Sequence, residues 1–314
     1  MIVSKILEAR ITRDFNNKEI IWGEIHSKFQ KVFNIRFSLP FGRERLLTVN
    51  TLGLSGIPDS LTVLEETYQR LSLLPLGSKV CCKDFKFYFL DTEEALIGTC
   101  ECHRQSNLLV GVESVIGEVT GLPNLIAFQE QLGILRDQGN YTDGFSIFPD
   151  RKKTEIEINL YHFIQSWLGG DREEMKAILL NYIGLGIGLT PSLDDAFLGI
   201  FAVLAGARLY AHSQTRIHRK YLQVWADMPG LEIVQPFDKL LNNRTTDVSL
   251  KYLCCAQEGN FSDLIIHMIR IMFSKQKENW EPIIVAASKI GNSSGMDMLY
   301  GASIAVAALQ EKIK

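Results

Sequence analysis

Paired carboxylates directly after a glycine-rich turn are the residues here with most scope for chemistry. The segment runs Gly184-Leu-Gly-Ile-Gly188-Leu-Thr190-Pro191-Ser192-Leu193-Asp194-Asp195 and continues as Ala196-Phe-Leu-Gly199. Alternating glycines let a backbone bend sharply and approach a ligand closely. Pro191 ends the turn, and Ser192 followed by Asp195 reads as a capping box that opens a helix. First-turn amides and the helix dipole then offer an anion site, with Gly188, Thr190 and Ser192 as candidate contacts. A P-loop is excluded because no Gly-Lys-Ser/Thr follows. The dinucleotide fingerprint is excluded because Leu189 takes the last glycine place and a helix precedes. Capping serines with acidic first turns also stabilise ordinary helices, so this segment alone does not define a site.

The same spacing recurs. Ser294-Gly-Met-Asp297-Met-Leu-Tyr-Gly301 repeats Ser192-Leu-Asp-Asp195-Ala-Phe-Leu-Gly199 as Ser-x-x-Asp-x-x-x-Gly. Each copy follows a polar or glycine-rich loop and opens an apolar helix. Gly199 and Gly301 lie four residues past their aspartates, on the same helix face. Missing side chains there would let two helix starts approach. The expectation is that both N-termini converge on one site, with Asp194, Asp195 and Asp297 as catalytic candidates and Ser293, Ser294 and Gly295 as binding candidates. The competing expectation is an old structural repeat with ordinary caps. A third polar helix entrance, Asn243-Arg-Thr-Thr246-Asp-Val-Ser249, adds Thr246 and Ser249. The three aspartates are of the type that holds magnesium through oxygen ligands, so that ion is the candidate cofactor.

Other chemistries fit poorly. None of the six histidines lies near these loops in sequence, and H-E-x-x-H is absent. The six cysteines occur as Cys81-Cys82, Cys100-x-Cys102 and Cys254-Cys255, without paired C-x-x-C spacing, and read as free thiols. Arg43 and Arg45 are further candidates to reach a carboxylate.

The elements that must position these residues follow from periodicity. The chain has 314 residues, enough for about two domains. Phe85, Phe87 and Phe89 alternate with Lys86 and Tyr88, and extended stretches lie at His26 to Phe37, Arg45 to Leu52 and Ala95 to Cys102. A helix is expected from Leu61 to Leu71. Beyond about residue 105 the period turns helical, with helices expected at Leu108 to Val119, Leu125 to Leu135, Thr154 to Leu168, Asp171 to Tyr182, Ser192 to Tyr210, Ile217 to Asp227, Asp247 to Gln257, Ser262 to Lys275, Pro282 to Lys289 and Ser294 to Lys312. The reading is an α+β chain: a β-rich N-terminal part, residues 1–105, as a small sheet or barrel, packed on a mainly helical part, residues 106–314.

Charge and apolar content bound the partners. With 33 basic and 36 acidic side chains, no global field favours nucleic acid or an anionic membrane. The longest apolar run, Ala196 to Ala207, is shorter than the roughly twenty residues a bilayer needs. The opening MIVSKILEAR lacks a signal-peptide core, so a cytoplasmic location is expected.

In the combination GLGIGLTPSLDD, TTDVS and NSSGMDMLYG, the chain resembles a conserved bacterial family associated with one subunit of oxamate carbamoyltransferase, of anaerobic allantoin degradation. The resemblance runs from about Gly56 to Gly301, with a weaker match at Gly56-Ile-Pro-Asp-Ser60. The family usually has glycine where Leu193 stands. The resemblance implies a carbamoyltransferase acting on oxamate or oxalurate and carbamoyl phosphate, a small anionic substrate bearing phosphate or carboxylate, and other enzyme subunits as partners. A non-catalytic scaffold subunit, or a metal-dependent hydrolase of a small carboxylated amide, are the alternatives.

Overall fold

The computed structural model describes residues 2–11, 15, 19–29, 31–51, 56–97, 123–137, 145–213, 222–231, 235–274 and 278–312. Two compact units divide the chain, Met1–Gln105 and Ser106–Lys314. The first is a closed barrel of β1 (Ile2–Arg10), β2 (Ile21–Lys28), β3 (Val32–Ser38), β4 (Glu44–Thr51), β5 (Ser60–Val63), β6 (Lys79–Lys83), β7 (Lys86–Phe89) and β8 (Glu94–Ile97), in the order β1-β5-β4-β3-β2-β6-β7-β8. Neighbours run antiparallel except for β4 with β5 and β1 with β8. Closure leaves no unpaired strand edge. The alternation read from the sequence packs the interior: Phe33, Phe37, Phe87 and Phe89 all point inward and are fully buried with Phe15.

Several sequence expectations need correction here. The stretch from His26 to Phe37 is two strands, turned where Phe29 N–H donates to the Val32 carbonyl at 2.8 Å. The helix expected from Leu61 is strand first. Ser60–Val63 is buried at every position and pairs parallel with β4 and antiparallel with β1, and only Glu65–Ser72 (α1) is helical. Four residues buried on both faces cannot belong to an amphipathic surface helix. The opening residues, read only for the absence of a leader, form β1. Phe85 stands at φ 58° in the β6–β7 turn instead of in a strand.

The second unit is helical: α2 (Pro123–Asp137), α3 (Asp150–Gly169), α4 (Arg172–Tyr182), α5 (Ser192–Ser213), α6 (Gln223–Asp227), α7 (Phe237–Leu240), α8 (Asp247–Gln257), α9 (Asp263–Met272), α10 (Glu281–Ser288) and α11 (Ser294–Glu311). Barrel and helices together make the α+β chain expected. Caps match their sequence signals: the Asp171 carboxyl accepts from Glu174 N–H, and Gly259, at φ 75°, turns the end of α8. The short α7 carries no sequence signal. The expected helix at Leu108 to Val119 lies outside the described residues, as do Cys100, Cys102, His103 and His218, and of the helix expected at Ile217 to Asp227 the described helical part is α6. The four cysteines that are described, Cys81, Cys82, Cys254 and Cys255, are thiols not joined in disulfides.

At the centre of this unit, α5 packs most of its length against α11, α8 and α6, and its apolar side chains are buried nearly all round. At 22 residues it is longer than the apolar run suggested, and by length and composition it would suffice to cross a membrane. Its surroundings are those of a core helix, which also pass that test.

Candidate functional site

The two Ser-x-x-Asp-x-x-x-Gly motifs meet where α5 crosses α11. A β-carbon on Gly199 would lie 2.1 Å from the Met298 carbonyl oxygen, and one on Gly301 would lie 2.2 Å from that of Ala196. Ala196 and Met298 hold the same place in their respective motifs. The crossing is therefore reciprocal, and each glycine admits the backbone of the other helix at a distance no other residue permits.

Reciprocity extends to the polar side chains. The Ser294 hydroxyl interacts with Asp195, and the Ser192 hydroxyl with Asp297, so each motif's serine serves the other motif's aspartate. Thr190 joins them, its hydroxyl 2.8 Å from that of Ser294. Ser293 adds a second hydroxyl beside Asp297, and the Phe145 N–H donates to Asp297 Oδ1 at 2.7 Å. Asp195 is 8% exposed and Asp297 1%. In each, Oδ2 is buried with no hydrogen-bond partner among the described residues. Burial pushes the Asp195 carboxyl up to about 8, against the opposing pull of Ser294 and Thr190, while the negative charges of Asp297 and Asp194 push it further. Burial also raises Asp297, with Phe145, Ser192, Ser293 and the charge of Lys153 opposing. Near neutral pH, Asp195 is thus largely a neutral acid.

Asp194 is differently placed from its neighbour. Its Oδ1 accepts from Gly184 N–H at 2.6 Å and its Oδ2 from the Thr245 hydroxyl, with Ser249 beside it. Both oxygens are engaged in tying the glycine-rich turn to the segment before α8. Burial raises this carboxyl too, with those three donors opposing. Of the three aspartates read as catalytic candidates, Asp195 and Asp297 come together at the crossing and Asp194 braces the loops behind it.

The loops are fitted closely. At φ 81°, Gly184 would place a β-carbon 2.0 Å from the Arg244 carbonyl, and at φ 129° Gly186 would place one 2.3 Å from Ser192 N. The Thr246 hydroxyl accepts from Ser249 N–H at 3.1 Å, the helix cap read from the sequence, and also donates to the Leu189 carbonyl. Ser192 is not a side-chain cap. It is the first helical residue, and the Pro191 carbonyl receives both Asp194 and Asp195 N–H, which removes the expected capping box. Some first-turn amides are already committed: Leu193 N–H donates to the Leu185 carbonyl and Gly295 N–H to that of Ile290. Gly295 serves packing, since a β-carbon there would meet the Ala287 carbonyl at 1.9 Å. Gly188, at φ 98°, has open space around it and lies at the exposed rim between Ile187 and Leu189. Ser249 is buried behind Asp194, away from that rim.

Residues that sequence reasoning missed are those without a motif. Tyr252, one helical turn beyond Ser249, interacts with the Asp195 charge, and its phenol is pushed up by burial first, then by Cys255 and Asp195. Phe145, Thr245 and Lys153 contribute from loops or from α3. Among the described residues, no group of three or more His, Cys, Asp or Glu side chains is arranged to hold a metal ion, and both oxygens of Asp194 already accept hydrogen bonds. The residues present therefore do not fit the magnesium site considered from the sequence. In the barrel, Arg45 Nε lies 2.5 Å from Asp59 Oδ2, a nearly buried pair that gives Arg45 a structural partner.

Residues 182–306, from the end of α4 into α11, match the family described as oxamate carbamoyltransferase subunit AllH. The match contains the glycine-rich turn, both Ser-x-x-Asp motifs and the Thr246 cap. No solved structure matches the chain.

Proposed function

With that family as the premise, we propose that the chain is a subunit of a carbamoyltransferase in which the α5–α11 crossing holds a small anionic substrate, oxamate or oxalurate together with phosphate or carbamoyl phosphate. The observation that carries this reading is the reciprocal pairing of Ser192 with Asp297 and Ser294 with Asp195, which leaves two buried carboxyl oxygens unsatisfied. A polar group buried without a partner costs about 1–3 kcal/mol, and a bound ligand is one way to recover it. Converting oxalurate and phosphate to oxamate and carbamoyl phosphate breaks a carbon–nitrogen bond and forms a carbon–oxygen bond. The departing nitrogen takes up one proton, and the attacking hydrogen phosphate releases one, which restores the acid. No covalent enzyme nucleophile is required, only alignment and a proton donor. In this reading Asp195 supplies the proton, and Thr190 and the serine hydroxyls bind substrate oxygens.

The test is carbamoyl phosphate formation from oxalurate by the chain assembled with its partner subunits. Loss of turnover by about a hundredfold or more in Asp195→Asn supports the site, on the usual scale of acid–base catalysis. Full activity in Asp195→Asn and Asp297→Asn together would remove it.

A second reading is favoured by one observation, the engagement of Leu193 and Gly295 N–H by neighbouring carbonyls, which reduces what the helix ends offer an anion. On that reading the crossing is structural and the subunit is a scaffold, with catalysis housed in a partner. It predicts that the assembly keeps its turnover when the stably folded Asp195→Asn chain replaces the natural one.

A further inference from the structure

Two carboxyl groups, from different helices, share the crossing, and each has one oxygen without a partner. Their charges interact, and hydroxyls of Thr190, Ser192, Ser293 and Ser294 surround them. Two buried carboxylates in each other's field cannot both ionise cheaply, so one proton is retained between them. A crossing that keeps one such proton offers an O–H donor from one helix and an anionic acceptor from the other. A primary carboxamide or carbamoyl group presents the converse, a carbonyl acceptor beside an N–H donor.

We propose that Asp195 and Asp297 act as a singly protonated carboxyl pair that recognises the –CO–NH2 end of the substrate, the O–H donating to its carbonyl and the carboxylate accepting its N–H. This deepens the transferase reading and rests on it for the identity of the site. Other charged or titratable groups facing the pair are Asp194 on α5, Tyr252 on α8 and Lys153 on α3. Among the described residues that act on the pair, Lys153 is the cation, and it acts on Asp297. Lys153 favours the charged form of Asp297, whereas the charges facing Asp195 are negative, so Asp195 is the better proton carrier. Asp194 takes no part, because both its oxygens are already used.

The probe pair is oxamate against oxalate, which differ in replacing the carboxamide by a second carboxylate. Calorimetric titration of the full chain at about pH 7 should show oxamate binding at least about tenfold tighter than oxalate, since a wrongly paired buried group costs upwards of a factor of ten. Oxamate affinity should then fall about tenfold or more towards pH 9.5, where the pair loses its proton. Asp195→Asn, which keeps an N–H donor in place of the O–H, should bind oxamate with no such fall. Asp297→Asn should bind it about tenfold or more weakly at every pH. Carboxyl carbon-13 shifts of the unmutated chain give an independent readout: one buried group should titrate near pH 8 in the free protein. Oxalate binding as tightly as oxamate, a wild-type affinity flat across this range, or no oxamate binding at all would overturn the pair. Carbamoyl phosphate formation with a flat binding profile would overturn the pair alone. The expected binding pattern in an assembly that makes no carbamoyl phosphate would instead sink the transferase reading and leave the pair standing.

Discussion

Gly199 and Gly301 occupy the same position on opposite sides of one helix crossing, each facing the carbonyl that the other's motif presents, Met298 for the first and Ala196 for the second. Everything polar at the crossing depends on that approach. Side chains as short as serine and aspartate reach between helices only when the backbones nearly touch.

Replacing either glycine by alanine should therefore separate the helices. The gain in helix propensity, up to about 1 kcal/mol, is outweighed by overpacking of about 1–3 kcal/mol or more against a rigid carbonyl. We expect a lower Tm and a comparable loss in Gly199→Ala and Gly301→Ala. Gly133 is the control: it is helical, and a β-carbon there meets nothing within 4 Å. Gly133→Ala should raise stability by about 0.5–1 kcal/mol in the same denaturant titration.

The raised carboxyls make stability fall with pH. Asp195 carries a folded value of about 8 against an ordinary value near 4, so between those limits the folded state binds more protons than the unfolded one. Its contribution is complete below about pH 4 and is lost as pH rises through about 8. Asp194 and Asp297 shift in the same direction. Unfolding free energies from urea titrations between pH 5 and pH 9 should decline, by an amount on the order of a few kcal/mol in total. Asp195→Asn should flatten much of that decline and be the more stable protein at pH 9. Parallel curves for the two proteins would contradict the assignment.

Asp194→Ala tests the brace. It leaves the Gly184 N–H and the Thr245 hydroxyl without their acceptor, at a cost of about 1–3 kcal/mol for each group that stays buried. Limited proteolysis should then cut within residues 184–190 well before the rest of α5 opens. Cleavage no faster than in the unaltered chain would show that the turn does not depend on this carboxylate.

In the barrel, Arg45→Ala removes the close ion pair with the Asp59 carboxylate, 4% exposed, and should cost up to about 3 kcal/mol. The double variant with Asp59→Ala should recover a large part of the loss. Equal thermal melts for the single and double variants would separate Arg45 from Asp59 energetically.

Much of this arrangement was legible in the residues. The repeated Ser-x-x-Asp-x-x-x-Gly spacing identifies both helix starts and their closeness, because glycine at a fixed helical offset has a single steric consequence. Period-two phenylalanines identify the strands around Phe87. Thr246 reads correctly as a cap because its bond to Ser249 is local. The sequence misassigned Ser192, whose hydroxyl turns to Asp297 on another helix, and gave no sign that Asp194 and Asp195 would divide their tasks. Adjacent residues on a helix point about 100° apart, and which one meets a loop depends on where Gly184 and Thr245 arrive. The strand at Ser60–Val63 reads as the start of a helix in the sequence because its pairing partners, Thr48 to Thr51 and Ile6 to Arg10, lie elsewhere in the chain.

Because Gly199 and Gly301 each admit an opposing carbonyl, α5 and α11 are indexed along one another like a detent. Helical residues step by about 1.5 Å, so sliding by a single position would drive the β-carbon of Ile200 or Ala302 into a peptide oxygen. The crossing is thereby a fixed point between the two helices, with the turns of residues 184–191 and 289–293 leading into it.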